Sequence, residues 1–234
     1  MARIPILLLL LAITLSLPLV HADPGSYVIP LEGARWTSNI IPVYVSGGDE
    51  DQQNQLLQAM QLWNQAQLWF AKEYSPNSSV YTLEQGDASA PVQVTLLNST
   101  SIVENILGWT DYRAANGAFE SMRVRIAADY SDRIVLLLGA HELGHVLGLG
   151  DDVICCKKDL MNAFPTGNNV SALPTTLDLY ALHVLSIANA IPSFVWLPNQ
   201  IPYQTAVANP TLNGSPGLIP IPVPETHHGK NLVV

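Results

Sequence analysis

Charged residues are scarce in this chain, and their scarcity excludes several classes of partner. They make up 12% of the 234 residues, whereas a typical soluble domain has roughly 25%. Lys and Arg together number 10 against 19 Asp and Glu, which gives a formal net charge of −9. Nucleic acids and anionic membrane surfaces attract proteins through clusters of basic residues. We therefore expect neither of them as a partner.

Cysteine is nearly absent, which excludes a framework of long-range disulfides. The two cysteines, Cys155 and Cys156, are adjacent in the sequence. Adjacent cysteines can bond to each other only through a strained ring, so a vicinal disulfide is one alternative. A thiolate that ligates a metal and keeps an enzyme latent is another. Two free thiols packed in the protein are the slightly favoured expectation.

The longest apolar run lies at the N-terminus. A single basic residue, Arg3, precedes the almost wholly apolar stretch 4–20, and the small residue Ala22 follows. This order is typical of a secretory signal peptide, here residues 1–22. We therefore predict a secreted, extracellular protein without a stable membrane partner after cleavage. An uncleaved anchor is the second choice, because the run is short for a membrane span and contains two prolines.

The stretch from His141 to Asp151, HELGHVLGLGD, carries the chemistry. On an α-helix, residues four apart lie on the same face, so His141 and His145 can reach one metal ion. Two neutral imidazoles are typical zinc ligands. Glu142 is offset from both and suits a general base that contacts the activated water. An ordinary buried helix has no reason to hold an unpaired glutamate here, because burying such a charge is expensive.

Two residues extend the motif beyond the helix. Gly148 lies where a helix can end in a left-handed residue, a conformation that glycine adopts at low cost. The chain can then turn back and bring Asp151 to the metal from another direction. Three protein ligands with a fourth position open are typical of a catalytic zinc site rather than a structural one. We therefore predict Zn²⁺ bound by His141, His145 and Asp151.

On these residues the chain resembles the metzincin clan of zinc endopeptidases, whose signature is HExxHxxGxxH followed by a methionine turn. The positions that match are His141, Glu142, His145, Gly148 and Met161. Asp151 departs from the signature, since most families of the clan have a third histidine there. Snapalysin-like members of the clan have aspartate at this position. A tyrosine that several members carry after the methionine has no counterpart in 162–164.

The resemblance implies a fold class and a way of binding substrate. The expected fold is α+β and zincin-like: a twisted mixed β-sheet with a long helix and an active-site helix, plus a small C-terminal half closed by a helix. The strand near Gly108–Arg113 is expected at the edge above the cleft. A protein or peptide substrate would add there as another strand. Met161 would form a floor beneath the metal, and we expect a monomer.

Local patterns predict the individual elements. Apolar spacing and an acidic start predict a long helix over Asp49–Tyr74. A capping-box-like pair, Thr175 with Asp178, predicts the start of a helix over Thr175–Ala190. An Asn116-Gly117 hairpin turn joins two of the predicted strands. The predicted strands are Asn39–Val45, Val80–Leu83, Val92–Leu97, Gly108–Arg113 and Ala118–Ala127.

These predictions divide the chain into four parts. They are the signal peptide (1–22), a short N-terminal segment (23–33), a metzincin-like zinc metalloprotease domain (34–190) and a Pro-rich extended tail (191–234). The predicted function is a secreted zinc-dependent endopeptidase with Glu142 as the general base. Two alternatives are a catalytically silent zinc-containing binding or structural protein of the same fold, and a zinc hydrolase of small amides or of aminopeptidase type.

Overall fold

The computed structural model describes residues 27–76, 78–102, 106–153, 156, 159–162 and 171–206. The predicted signal peptide, the C-terminal tail after residue 206 and residues 163–170 lie outside the described residues. The elements in chain order are β1 (Val28–Pro30), β2 (Ile40–Gly47), α1 (Glu50–Tyr74), β3 (Thr82–Gln85), β4 (Val92–Leu97), β5 (Gly108–Ala115), β6 (Ala118–Ala127), α2 (Asp132–Leu147), α3 (Thr176–Ile187) and β7 (Phe194–Trp196).

A five-stranded sheet forms one layer of the fold. Its strand order is β3-β2-β4-β6-β5, in which β5 is antiparallel to β6 and the other neighbours are parallel. The sheet is therefore mixed, and β5 lies at one edge of it. Asn116 and Gly117 both have positive φ, 53° and 74°, which is the conformation that a tight hairpin turn requires. The α+β class, the mixed sheet and this turn are confirmed.

The long helix α1 forms the second layer with α2. Asp49 caps it through a reciprocal hydrogen-bond pair with Gln52, so the acidic start acts as a capping box. Its apolar stripe is buried, and Trp63 at the centre is fully enclosed. The Trp63 indole N–H donates to the carbonyl oxygen of Ala140 on α2 at 2.7 Å. This contact fixes the helix that carries the predicted metal ligands.

A second, two-stranded sheet joins the two ends of the described chain. β1 pairs antiparallel with β7, with Ile29 opposite Val195. The Arg35 guanidinium donates to the carbonyl oxygens of Leu185 and Ala188 at the end of α3. The segment between β1 and β2, which contains Arg35, thus lies against α3 and the residues that follow it.

No helix among the described residues is both long and apolar enough to span a bilayer. The division of the chain into four parts stays a prediction.

Candidate metal centre

Helix α2 places the two histidines of the motif on one buried face. His141 is 8% exposed and His145 is 6% exposed. Their ring centroids are 4.9 Å apart and the ring planes are nearly perpendicular. The spacing of four residues therefore brings both imidazoles to the same place, as the helical geometry requires.

The turn after α2 brings Asp151 to these rings. Gly148 ends the helix with φ 104° and ψ 12°, and its N–H donates back to the carbonyl oxygens of Gly144 and His145. A side chain at position 148 would also meet Leu185, because a Cβ would lie 2.7 Å from its Cδ2. The backbone on either side of Asp151 is fixed as well. The Gly150 N–H donates to Pro30 at 2.9 Å, and the N–H of residue 152 donates to the Met161 carbonyl oxygen at 2.7 Å.

The three side chains converge at distances that fit a metal ion. Asp151 Oδ1 lies 3.3 Å from His141 Nε2 and 3.4 Å from His145 Nε2. Ligand atoms at about 2.0–2.1 Å from a tetrahedral zinc ion are roughly 3.3–3.4 Å apart, so the two observed distances fit. Asp151 Oδ1 is itself buried without accepting a well-formed hydrogen bond. An ionised oxygen in such a position needs a cation.

The pKa values of the site residues also indicate that a cation belongs between them. The nearby imidazoles hold the pKa of the Asp151 carboxyl well below its usual range, against the opposing effect of burial. Burial disfavours the charged imidazoles, but the surrounding carboxylates, with Asp151 foremost, together outweigh it and raise the pKa of both His141 and His145. Without a metal the cluster therefore attracts protons. Metal binding must displace them, so the affinity for a metal falls with falling pH.

Hydrogen bonds to the outer ring nitrogens orient both imidazoles toward Asp151. His141 Nδ1 donates to the Leu160 carbonyl oxygen at 2.7 Å, and His145 Nδ1 donates to that of Leu149 at 2.8 Å. These bonds place the hydrogen on Nδ1 and leave the lone pair on Nε2 for a metal. Met161 follows Leu160 and packs against α2 at Gly144, where a Cβ would lie 2.1 Å from the Met161 Sδ.

Glu142 lies against the edge strand β5. The Thr110 hydroxyl donates to Glu142 Oε2 at 2.6 Å. Gly108 makes room for the other oxygen, because a Cβ at this position would lie 2.2 Å from Glu142 Oε1. The carboxylate is only 2% exposed. The strand thus fixes the orientation of the predicted base, and the sequence analysis identified neither Thr110 nor Gly108 in this role.

A third acidic side chain, Glu32, reaches the site from the N-terminal segment. Its Oε1 lies 3.2 Å from His145 Nδ1, and its side chain is 6% exposed. Burial and then the charge of Glu32 raise the pKa of Tyr112 to about 12. Glu32 could not be identified from the sequence, since no local pattern links it to the motif.

One prediction near the site is wrong. Cys156 is buried and takes part in a disulfide, so it is not the free thiol that the sequence analysis favoured. Its sulfur lies close to carboxylate oxygens of Asp152 and Asp159 in a second acidic group. Because that sulfur is not a thiolate, it is not a metal ligand in this state. The group that fits a metal is therefore His141, His145 and Asp151.

No protein-family model matches the chain, and no curated protein matches it. Among solved structures the fold is similar to two structures of myroilysin. One is 16% identical with a TM-score of 0.32, covering 50% of this chain and 47% of that one. The other is 17% identical with a TM-score of 0.34, covering 59% of each.

The chain thus spans less than two thirds of either myroilysin chain. The function is therefore inferred from the geometry of the candidate metal centre.

Proposed function

We propose that this protein is a secreted zinc endopeptidase of the metzincin type. The observation that carries the proposal is the convergence of His141 Nε2, His145 Nε2 and Asp151 Oδ1 beside a buried glutamate. Imidazole nitrogens with a carboxylate oxygen are a donor set that zinc prefers. Among the described residues three ligands gather, which leaves a position open for substrate chemistry.

Each residue has a role in this proposal. A zinc ion held by His141, His145 and Asp151 would supply a Lewis acid for the activation of water and the polarisation of the scissile carbonyl group. Glu142 takes the proton from the attacking water and returns it to the leaving amine. The Thr110 hydroxyl already donates to Glu142 Oε2, so Oε1 is the oxygen that accepts the proton. A base fixed in this way needs no reorientation during the reaction.

The edge strand β5 is the proposed docking site for substrate. It ends the five-stranded sheet and contacts Glu142 through Gly108 and Thr110. An extended peptide that pairs with an edge strand is held by main-chain hydrogen bonds, which do not depend on its sequence. Pairing with β5 would bring one peptide bond of the substrate close to the carboxylate of Glu142. This arrangement favours internal cleavage of a chain over removal of its terminal residue.

The test is metal analysis coupled to digestion of an unfolded protein substrate. We expect about one zinc per chain and cleavage that a chelator abolishes and added zinc restores. Glu142→Gln keeps the shape of the side chain but removes the base. It should retain zinc and lose at least about 100-fold in kcat, the lower range for general-base catalysis. Glu73 is exposed on α1, so Glu73→Gln is the matched control and should leave both the zinc content and kcat unchanged.

The outcomes separate the candidate functions. A protein that retains zinc but cleaves neither proteins nor small amides would be a silent zinc-binding protein. Cleavage of small amides alone would indicate the amidase alternative. Absence of zinc from the folded protein would refute the proposal.

A further inference from the structure

We infer that Glu32 is a positioning residue for the metal ligand His145, an inference that rests on the proposed metal site. The two histidines of the site have different environments. His141 Nδ1 donates to a backbone carbonyl oxygen at 2.7 Å. His145 Nδ1 faces both a backbone carbonyl oxygen at 2.8 Å and the Glu32 carboxylate at 3.2 Å.

The carboxylate adds what a carbonyl oxygen does not, which is a full negative charge behind the imidazole. A carboxylate on the outer nitrogen makes the ring a more basic ligand and holds it in one orientation. The Glu32 side chain is almost fully enclosed, so solvent screens this charge little.

The backbone of Glu32 is anchored independently of its side chain. Its N–H donates to the Gly148 carbonyl oxygen at 3.0 Å, and its carbonyl oxygen accepts from the Tyr112 hydroxyl at 3.0 Å. The preceding residue, Leu31, forms a β-bridge with Leu149. These contacts hold the segment against the turn that leads to Asp151. A change of the side chain alone therefore leaves the segment in place.

The experiment compares the zinc affinity of wild type with that of Glu32→Gln and Glu32→Ala. Affinity is measured by competition with a chromophoric chelator at fixed pH. Removal of such a carboxylate typically weakens metal binding about 10–100-fold. We expect a loss in this range for Glu32→Gln and an equal or larger loss for Glu32→Ala. The exposed Glu73→Gln should bind zinc as wild type does.

A second readout separates positioning from a structural role. The thermal stability of each variant is measured metal-free and zinc-saturated. A structural role of Glu32 would lower both values together and leave the increase on zinc addition unchanged. A positioning role reduces that increase by about 1.4–2.7 kcal/mol, which is the expected 10–100-fold loss expressed as a free energy. The cobalt-substituted protein should also show a shifted absorption spectrum in Glu32→Gln.

One outcome, a wild-type protein that binds no zinc, would overturn both proposals, and the remaining outcomes separate them. Unchanged zinc affinity in Glu32→Gln overturns the inference, as does a wild-type protein that binds no zinc. Wild type that binds zinc without cleaving peptides would refute the endopeptidase proposal. Weaker zinc binding by Glu32→Gln would still support the positioning role in that case.

Discussion

Replacing Asp178 with asparagine tests how the turn beneath the metal site is held. Asp159 and Asp178 are fully buried and close enough for each carboxyl group to shift the pKa of the other. Asp159 accepts at both oxygens, from the Met161 N–H at 3.1 Å and from the hydroxyls of Thr175 at 2.8 Å and Tyr203 at 3.3 Å. Asp178 Oδ2 accepts the Thr175 N–H at 2.8 Å, whereas its Oδ1 accepts no hydrogen bond. We therefore place the shared proton on Asp178.

The sign of the pH dependence is set by this proton. Burial, reinforced by the charge of Asp159, raises the pKa of Asp178 well above its ordinary value. Burial also raises the pKa of Asp159, and the nearby charge of Asp152 adds to this. The folded protein therefore keeps a proton that the unfolded chain releases above about pH 4. Below about pH 4 this proton contributes its full stabilisation of the folded protein. As the pH rises from there through the pKa of folded Asp178, the free energy of unfolding falls by about 1.4 kcal/mol per pH unit.

Asparagine at position 178 has nearly the same shape as a protonated aspartic acid and offers the same acceptor and donor. Its carbonyl oxygen can accept the Thr175 N–H, and its amide can donate to Asp159. Asp178→Asn should therefore remove this part of the pH dependence and should be at least as stable as wild type at neutral pH. Asp159→Asn is the contrasting variant, because its amide would face a donor. It should be less stable than wild type by about 1–3 kcal/mol at neutral pH.

The assay is urea unfolding of the metal-free protein, monitored by tryptophan fluorescence from acid to neutral pH. Metal-free protein is used so that loss of zinc at low pH does not contribute. The slope of unfolding free energy against pH is compared between wild type and the two variants. A slope in Asp178→Asn equal to that of wild type would refute the shared proton. If Asp178→Asn and Asp159→Asn lost equal free energies of unfolding, the assignment of the proton to Asp178 would be refuted.

Two further predictions concern the helix that carries the ligands. Thr110→Val removes the hydroxyl that donates to Glu142 at 2.6 Å. Because a hydrogen bond to a charged group contributes about 1.5–3 kcal/mol, kcat/KM should fall about 10–100-fold. Thr110→Ser keeps the hydroxyl and should retain most of the activity. Equal activities would contradict the role of this bond. Gly144→Ala places a Cβ 2.1 Å from the buried Met161 Sδ, and unfolding measurements should show a loss of about 1–3 kcal/mol with weaker zinc binding. Gly139→Ala on the same helix meets only the end of the Leu56 side chain, so it should lower the free energy of unfolding less than Gly144→Ala does. A larger loss in Gly139→Ala would contradict this packing argument.

The convergence of the three side chains was predictable because the motif is local. His141 and His145 are one helical turn apart, and Asp151 comes only three residues after the glycine that ends the helix. Within so short a stretch, helical geometry and one left-handed residue determine where the side chains meet. The roles of these residues in zinc binding and catalysis stay predictions.

The surroundings of the site were not predictable, since they come from distant parts of the chain. Glu32 lies 113 positions before its partner His145, and Thr110 lies 32 positions before Glu142. Neither belongs to a pattern with a period. Only the sheet register and the pairing of the N-terminal segment bring them to the helix.

Element boundaries moved where long-range contacts compete with local propensity. The predicted helix Thr175–Ala190 ends at Ile187, and the Arg35 guanidinium binds the carbonyl oxygens of Leu185 and Ala188 there. The predicted strand Val80–Leu83 is shifted to Thr82–Gln85, because its parallel register with β2 begins at Thr82. The two short strands β1 and β7 were missed, since three residues are too few for a periodic signal.

The antiparallel pairing of β1 with β7 has a consequence for biosynthesis. Pro30 at the end of β1 holds Gly150 in the turn that leads to Asp151, and β1 has its partner only once residues 194–196 exist. A nascent chain on the ribosome therefore carries the HELGH sequence long before it can complete the pocket around it. The candidate metal centre is therefore completed late in translation, after the strand that pairs with β1 has been made.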